Sequence, residues 1–143
     1  LTTEGGLDVK AHAEAISRAV KRFREKGILV SLFIEPDLEA VEISKRTGAD
    51  FIELHTGTYC NSFGTPSQEK ELARLYTAAE KAVEIGLRVN AGHGLNAENV
   101  IPILRMRGLE ELNIGHSIVS RSIFKGIPAA VRELKDVIRH FSR

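Results

Sequence analysis

The chain has 143 residues, a formal net charge of +1 and one cysteine, Cys60. That length suits one domain able to bury a core, and the near-neutral balance excludes a strong field for nucleic acid or a membrane surface. At 43% apolar and 27% charged residues the composition is that of a globular protein, and a single cysteine excludes a disulfide framework or a cysteine metal cluster. Nothing reads as a signal peptide and no apolar run approaches the roughly 20 residues that span a bilayer, so a cytoplasmic location is expected.

The opening Leu-Thr-Thr-Glu-Gly-Gly reads like the tail of a strand, as if the chain began mid-fold. Residues 8–26 space Val9, Ala13, Ile16, Val20 and Phe23 as one helical face, with Asp8 as N-cap and Gly27 as stop. A strand over 28–34 ends before Pro36, and a helix over 37–47 closes at Gly48. The strand 50–54 leads into a long polar loop from His55 to Pro66, then a helix over 67–85. The strand 87–91 precedes a helix over 96–107, and the strand 110–114 precedes a short helix over 117–124. A last helix takes Pro128 in its first turn. Strict alternation of this kind predicts parallel βα units.

Side-chain parity sharpens the fold. One face carries Val30, Leu32, Ile34, Ile52, Leu54, Val89, Ala91, Leu112 and Ile114; the other carries Phe33, Glu35, Phe51, Glu53, His55, Arg88, Asn90, Glu111 and Asn113. A parallel sheet covered by helices on both faces is apolar on both. One polar face fits a barrel interior opening on an active site. A closed (β/α)8 barrel takes about 250 residues, so four strands supply roughly half of one.

Two stretches repeat one design: residues 87–95, Leu-Arg-Val-Asn-Ala-Gly-His-Gly-Leu, and 112–117, Leu-Asn-Ile-Gly-His-Ser. Each is an apolar strand with one Asn, ending in Gly-His and feeding a helix. Strand carboxyl ends are where α/β proteins place their chemistry; the plainer alternative is a strand-end turn with a capping histidine. His93, between glycines, suits a general acid or base. Glu53, inside a barrel, suits proton exchange or stabilisation of positive charge, unless it is an ion-pair partner of Arg88. The backbone at Gly115, His116 and Ser117, before the short helix, suits an anion such as a substrate phosphate. His55 reads equally as loop anchor or site residue. His12 and His140 lie on charged helical faces, and Cys60 reads as incidental. Glu53, His55, His93 and His116 lack the ligand spacing of zinc motifs, so no metal is expected.

The segments T-T-E-G-G-L-D (2–8), V-S-L-F-I (30–34), F-I-E-L-H-T-G (51–57), N-A-G-H-G-L (90–95) and E-L-N-I-G-H (111–116) resemble pyridoxine 5'-phosphate synthase. The resemblance runs to the last helix and covers the C-terminal three-fifths of a family chain. It implies a TIM barrel with extra helices, assembled as a homo-octamer. It also implies condensation of 1-deoxy-D-xylulose 5-phosphate with 3-amino-2-oxopropyl phosphate, releasing phosphate and water without metal or organic cofactor. By position, His93 resembles the family's proton donor and Glu53 the carboxylate that stabilises transition-state charge. Thr2 resembles a contact to the deoxyxylulose phosphate; Gly94, Gly115 and His116 resemble contacts to the aminooxopropyl phosphate. The family's first strands, with a further His and a Glu base, have no counterpart here, so a truncated chain whose activity alone is in question is expected. The rival expectations are another phosphate-handling barrel enzyme, isomerase or lyase, and a non-catalytic half-barrel. An aldolase would need a Schiff-base lysine, and none of the four strand segments carries one.

Overall fold

A computed structural model describes residues 5–141. Thr2 therefore lies outside the described residues. The strands are β1 (Ser31–Ile34), β2 (Phe51–His55), β3 (Arg88–Gly92) and β4 (Leu109–Asn113). All are parallel, in one sheet of order β1-β2-β3-β4. The parity reading holds: Leu32, Ile34, Ile52, Leu54, Val89 and Ala91 are buried in the core. Phe33, Glu53 and Asn113, on the other face, line a cavity. Closure into a barrel is not part of this four-stranded sheet.

Helices α1 (Val9–Arg24), α2 (Leu38–Arg46) and α4 (Gln68–Glu84) supply core residues to the apolar face, among them Val9, Val41, Ile43, Leu75, Ala78, Ala79 and Ala82. Asp8 caps α1 by accepting the Ala11 N–H at 2.9 Å, and Asp37 caps α2 through Ala40 N–H, also at 2.9 Å. The small residues on α4 let its backbone lie close to β2 and β3. Helices α6 (His116–Lys125) and α7 (Ile127–Phe141) pack on each other.

Four expectations need correction. The first strand is shorter than 28–34, because Ile28 and Leu29 are exposed and outside the ladder. The expected loop after His55 contains a helical turn and a half, α3 (Gly57–Ser62). Its Gly-Thr-Tyr-Cys-Asn-Ser sequence has weak propensity and is held by burial of Tyr59 and a bond from Cys60 N–H to Thr56 O. The helix expected over 96–107 shrinks to α5 (Val100–Ile103). Asn96 Oδ1 accepts the Glu98 and Asn99 N–H groups, building a turn where that helix would start. Finally, Arg88 is not the partner of Glu53. A register shift at Val89/Asn90 admits Glu110 beside it, and the Arg88 guanidinium forks onto that carboxylate while stacking 3.9 Å over Phe51. No helix among the described residues is long and apolar enough to cross a membrane.

Candidate active site

A cavity of about 510 Å³ opens at the carboxyl ends of the strands, lined by Phe33, Glu53, His93, Gly94, Leu95, Asn113, Ile114, Gly115 and His116. Five residues singled out from sequence thus meet in one place: Glu53, His93, Gly94, Gly115 and His116. A second hollow of about 360 Å³ shares Gly94, Leu95 and His116 and extends along α6 to Ser120 and Arg121.

Glu53 reaches the cavity by crossing its neighbouring strand. Its Oε2 accepts a hydrogen bond from Asn113 Nδ2 at 2.9 Å, two strands away. Only glycine permits that path, since a Cβ on Gly92 would lie 2.3 Å from Glu53 Oε1. Burial raises the Glu53 pKa above the ordinary glutamate value, and the nearby Glu111 charge adds to the rise. The Asn113 hydrogen bond and the His55 side chain act in the opposite direction. Such a carboxyl exchanges a proton more readily near neutrality than a solvated one.

His93 occupies a backbone conformation rare outside glycine, with φ of 83°. Holding a non-glycine residue there costs about 1–3 kcal/mol and requires support from the surroundings. The support is visible. Thr56 Oγ1 points its hydroxyl at Gly92 O and His93 O, at 2.7 and 2.5 Å. Cys60 Sγ lies 3.5 Å from His93 O, and Asn99 Nδ2 donates to Gly94 O at 3.1 Å. Asn99 is itself fixed by accepting Asn96 N–H, while its carbonyl accepts from Tyr59 OH. The imidazole is carried outward, exposed at the cavity. Cys60 is therefore not incidental: it packs where a Cβ on Gly94 would stand, 2.9 Å from its own Cβ. Its thiol is pushed up to about 11 by burial, which keeps it protonated and a packing group at neutral pH.

Gly115 is the N-cap of α6, and no side chain caps that terminus. The first amides of α6 are thus open to an anion, beside the His116 ring. Ser117 Oγ donates to Leu95 O at 2.7 Å and ties the start of α6 to the loop that follows His93. The two Gly-His copies therefore differ in kind. One histidine is held in a strained turn; the other opens a helix.

His55 sits inside, not on a loop. It ends β2, is 6% exposed, and places Nδ1 2.6 Å from Glu35 Oε1. Parity had placed Glu35 and His55 on the polar face, but a contact across twenty positions of sequence carries no local signal. Thr56 and Cys60 were missed for a similar reason, being read as loop.

A family model described as Pyridoxal phosphate biosynthesis protein PdxJ matches residues 1–140. The chain belongs to this family. Curated relatives named pyridoxine 5'-phosphate synthase include one from Pelobacter propionicus, 46% identical over 140 residues, covering 98% of this chain and 59% of that protein. Another, from Geobacter sulfurreducens, has the same identity and coverage. A third, from Trichlorobacter lovleyi, is 49% identical over 139 residues, covering 97% of this chain and 58% of that protein. The chain thus spans about three-fifths of the length of these family members (59% for the first). Among solved structures, a chain in the crystal structure of the Amycolatopsis orientalis BexX/CysO complex has a like fold. Its TM-score is 0.63 at 14% identity, covering 91% of this chain and 49% of that one.

Proposed function

We propose that this PdxJ-family chain carries the Glu53–His93 part of a pyridoxine 5'-phosphate synthase site. The reaction is the condensation of 1-deoxy-D-xylulose 5-phosphate with 3-amino-2-oxopropyl phosphate, with release of phosphate and water. The observation that carries the reading is the single cavity shared by Glu53, His93 and the uncapped start of α6, in a chain 46% identical to a protein bearing that name.

The chemistry asks for groups of this kind. Joining an amine to a ketone passes through cationic nitrogen, and closing the ring expels oxygen leaving groups that must gain a proton. Glu53, once ionised, holds the positive charge, and its partial burial makes that interaction stronger than in water. His93, on the cavity rim, delivers a proton to the departing oxygen. Gly94 lets a substrate approach the backbone closely, and Gly115 and His116 hold a phosphate at the α6 terminus. Thr2 takes the deoxyxylulose phosphate. No metal or organic cofactor enters the scheme.

The wider architecture belongs to the same proposal. The four strands form part of a (β/α)8 barrel, a single domain with 1–143 in its C-terminal portion, in which β1 and β4 pair with further strands. The protein works in the cytoplasm as a homo-oligomer, an octamer by resemblance to the family, with no nucleic-acid or membrane partner.

Incubating the protein with both phosphorylated substrates, and assaying pyridoxine 5'-phosphate and released phosphate, tests the reading. Product that disappears in His93→Ala is the expected result. Amide signals of Gly115 and His116 unmoved by saturating phosphate, together with wild-type turnover in His93→Ala, would overturn it.

A further inference from the structure

The ring of His93 rests on a second imidazole that the proposed reaction does not use. His55 meets it in a T-shaped contact with centroids 4.8 Å apart, and Phe33 touches His55 in the same manner at 5.1 Å. Glu35 Oε1 stands 2.6 Å from His55 Nδ1 and also accepts the Gly6 N–H at 3.0 Å. His55 Nε2 is fully buried and has no hydrogen-bond partner among the described residues. Gly57 lies against both rings. A Cβ there would come within 2.5 Å of His55 Nε2 and 3.2 Å of His93 Cδ2.

These contacts fix where the proton is. An ionised carboxylate only accepts, so the Glu35 contact places a His55 proton on Nδ1, and a neutral ring then has its lone pair on Nε2. An orphaned buried acceptor is costly, and native proteins keep few of them. Here the His55 ring that carries this atom packs edge to face against the His93 ring, with centroids 4.8 Å apart. An edge-to-face ring pair of this kind has a preferred geometry. The His93 ring is thus confined between His55 and the open cavity.

We propose that Glu35 and His55 are positioning residues for His93. Glu35 holds His55 as the Nδ1–H tautomer, and the His55 ring so held fixes the orientation from which His93 transfers its proton. The pair does not touch substrate; it acts through His93. Glu35 also joins this device to Gly6, whose N–H it accepts at 3.0 Å. The inference rests on the proton-transfer role given to His93 above, and its test is separable from that role.

Long-range proton–nitrogen NMR of the imidazoles in the intact chain reads the tautomer without any turnover. The unsubstituted chain should show His55 protonated on Nδ1 only. Glu35→Gln, whose amide can accept or donate, should give a mixture of tautomers. Both Glu35→Gln and His55→Gln should move the His93 ring signals while leaving those of His140 in place. Where the synthase assay gives product, both variants should lower kcat roughly 10–100-fold with little change in KM, the usual weight of a group that orients a functional one. A chain that makes no product yet shows the Nδ1–H tautomer and the His93 shifts counts against the synthase reading and supports this one. An Nε2–H tautomer for His55 in the unsubstituted chain would overturn the proposal, and needs no variant to fold. So would His93 signals unmoved in both variants.

Discussion

At the β2–β3 end of the cavity, His55, Thr56 and Asn90 are buried, and the His93 backbone is held by Thr56, Cys60 and, through Gly94, Asn99. At the β4–α6 end, Asn113, Gly115 and His116 are exposed, and α6 buries none of its residues. The contrast separates two jobs. The proton transfer proposed for His93 needs a side chain held to a fraction of an ångström, and an interior that keeps one strained histidine in place fits that role. Anion binding needs only amides and a dipole pointing outward, which a helix terminus provides without packing around it.

The largest effect that would break this contrast is on His93. His93→Ala should lower turnover roughly 10²–10⁴-fold, the weight of a proton-transfer group, with the fold retained. His93→Gly sharpens the test, because glycine takes a φ of 83° without strain. It should melt higher than His93→Ala while being equally inactive. Equal melting of the two would mean that the turn is not strained.

Glycine substitutions compare the two ends directly. Gly57→Ala drives a methyl to 2.5 Å from His55 Nε2 and 3.2 Å from His93 Cδ2. Overpacking of this kind costs about 1–3 kcal/mol and should displace His93. At Gly115 an added Cβ meets nothing within 4 Å, and φ of −123° suits any residue. Gly115→Ala exchanges the N-cap of α6 for a poorer one, so it should cost no more than about 1 kcal/mol of stability while altering phosphate affinity. A Gly115→Ala as destabilised as Gly57→Ala, or a neutral Gly57→Ala, would erase the distinction between the ends.

That same distinction marks what was legible in the sequence. Alternation in Phe51-Ile52-Glu53-Leu54-His55 revealed which face was wet, and the two Gly-His stretches led to the cavity, because periodicity and strand-end chemistry are local. The supports of His93 were not legible. Thr56, Cys60 and Asn99 are brought to it by tertiary packing, and Glu35 meets His55 only because β1 and β2 pair in register. The helix expected over 96–107 fails for a different reason: Asn96 and Asn99 spend their side chains on backbone groups.

A subtler effect concerns Glu53. Because burial raises its pKa in the folded state, the folded protein holds that proton more tightly than the unfolded chain does. Below the ordinary value of 4.5 both states are protonated and the group is neutral to stability. As pH rises from there through the folded pKa, the unfolded chain ionises first and stability is lost, a loss complete above the folded pKa. Glu53→Gln should therefore melt higher than the unsubstituted chain at neutral pH and equally at strongly acid pH, while lowering turnover more than substrate binding. Asn113→Leu removes the donor that opposes the shift, so the Glu53 carboxyl signal should titrate at still higher pH. A titration unmoved by Asn113→Leu would show that the two ends of the cavity are not coupled through this bond.

The smallest effect lies on α6. Val119, Ile123 and Phe124 are 61%, 79% and 88% exposed, and Ile127, just beyond, is 59% exposed. Val119 and Ile123 stand at the four-residue spacing that lines up one face of α6, and Phe124 adjoins Ile123, so the exposed apolar residues of α6 lie together rather than scattered singly. Removing apolar surface that touches only water returns nothing to the folded state. Phe124→Ser should change the stability of the isolated chain by no more than about 0.5 kcal/mol. Leu134 on α7 is only 7% exposed. Leu134→Ala should cost about 2–5 kcal/mol, the range for emptying a core position. Thermal melting of the two variants at low protein concentration separates these outcomes. A loss in Phe124→Ser that matches Leu134→Ala would mean that the exposed apolar residues of α6 are packed after all, and that the α6 end of the cavity is built as firmly as the histidine end.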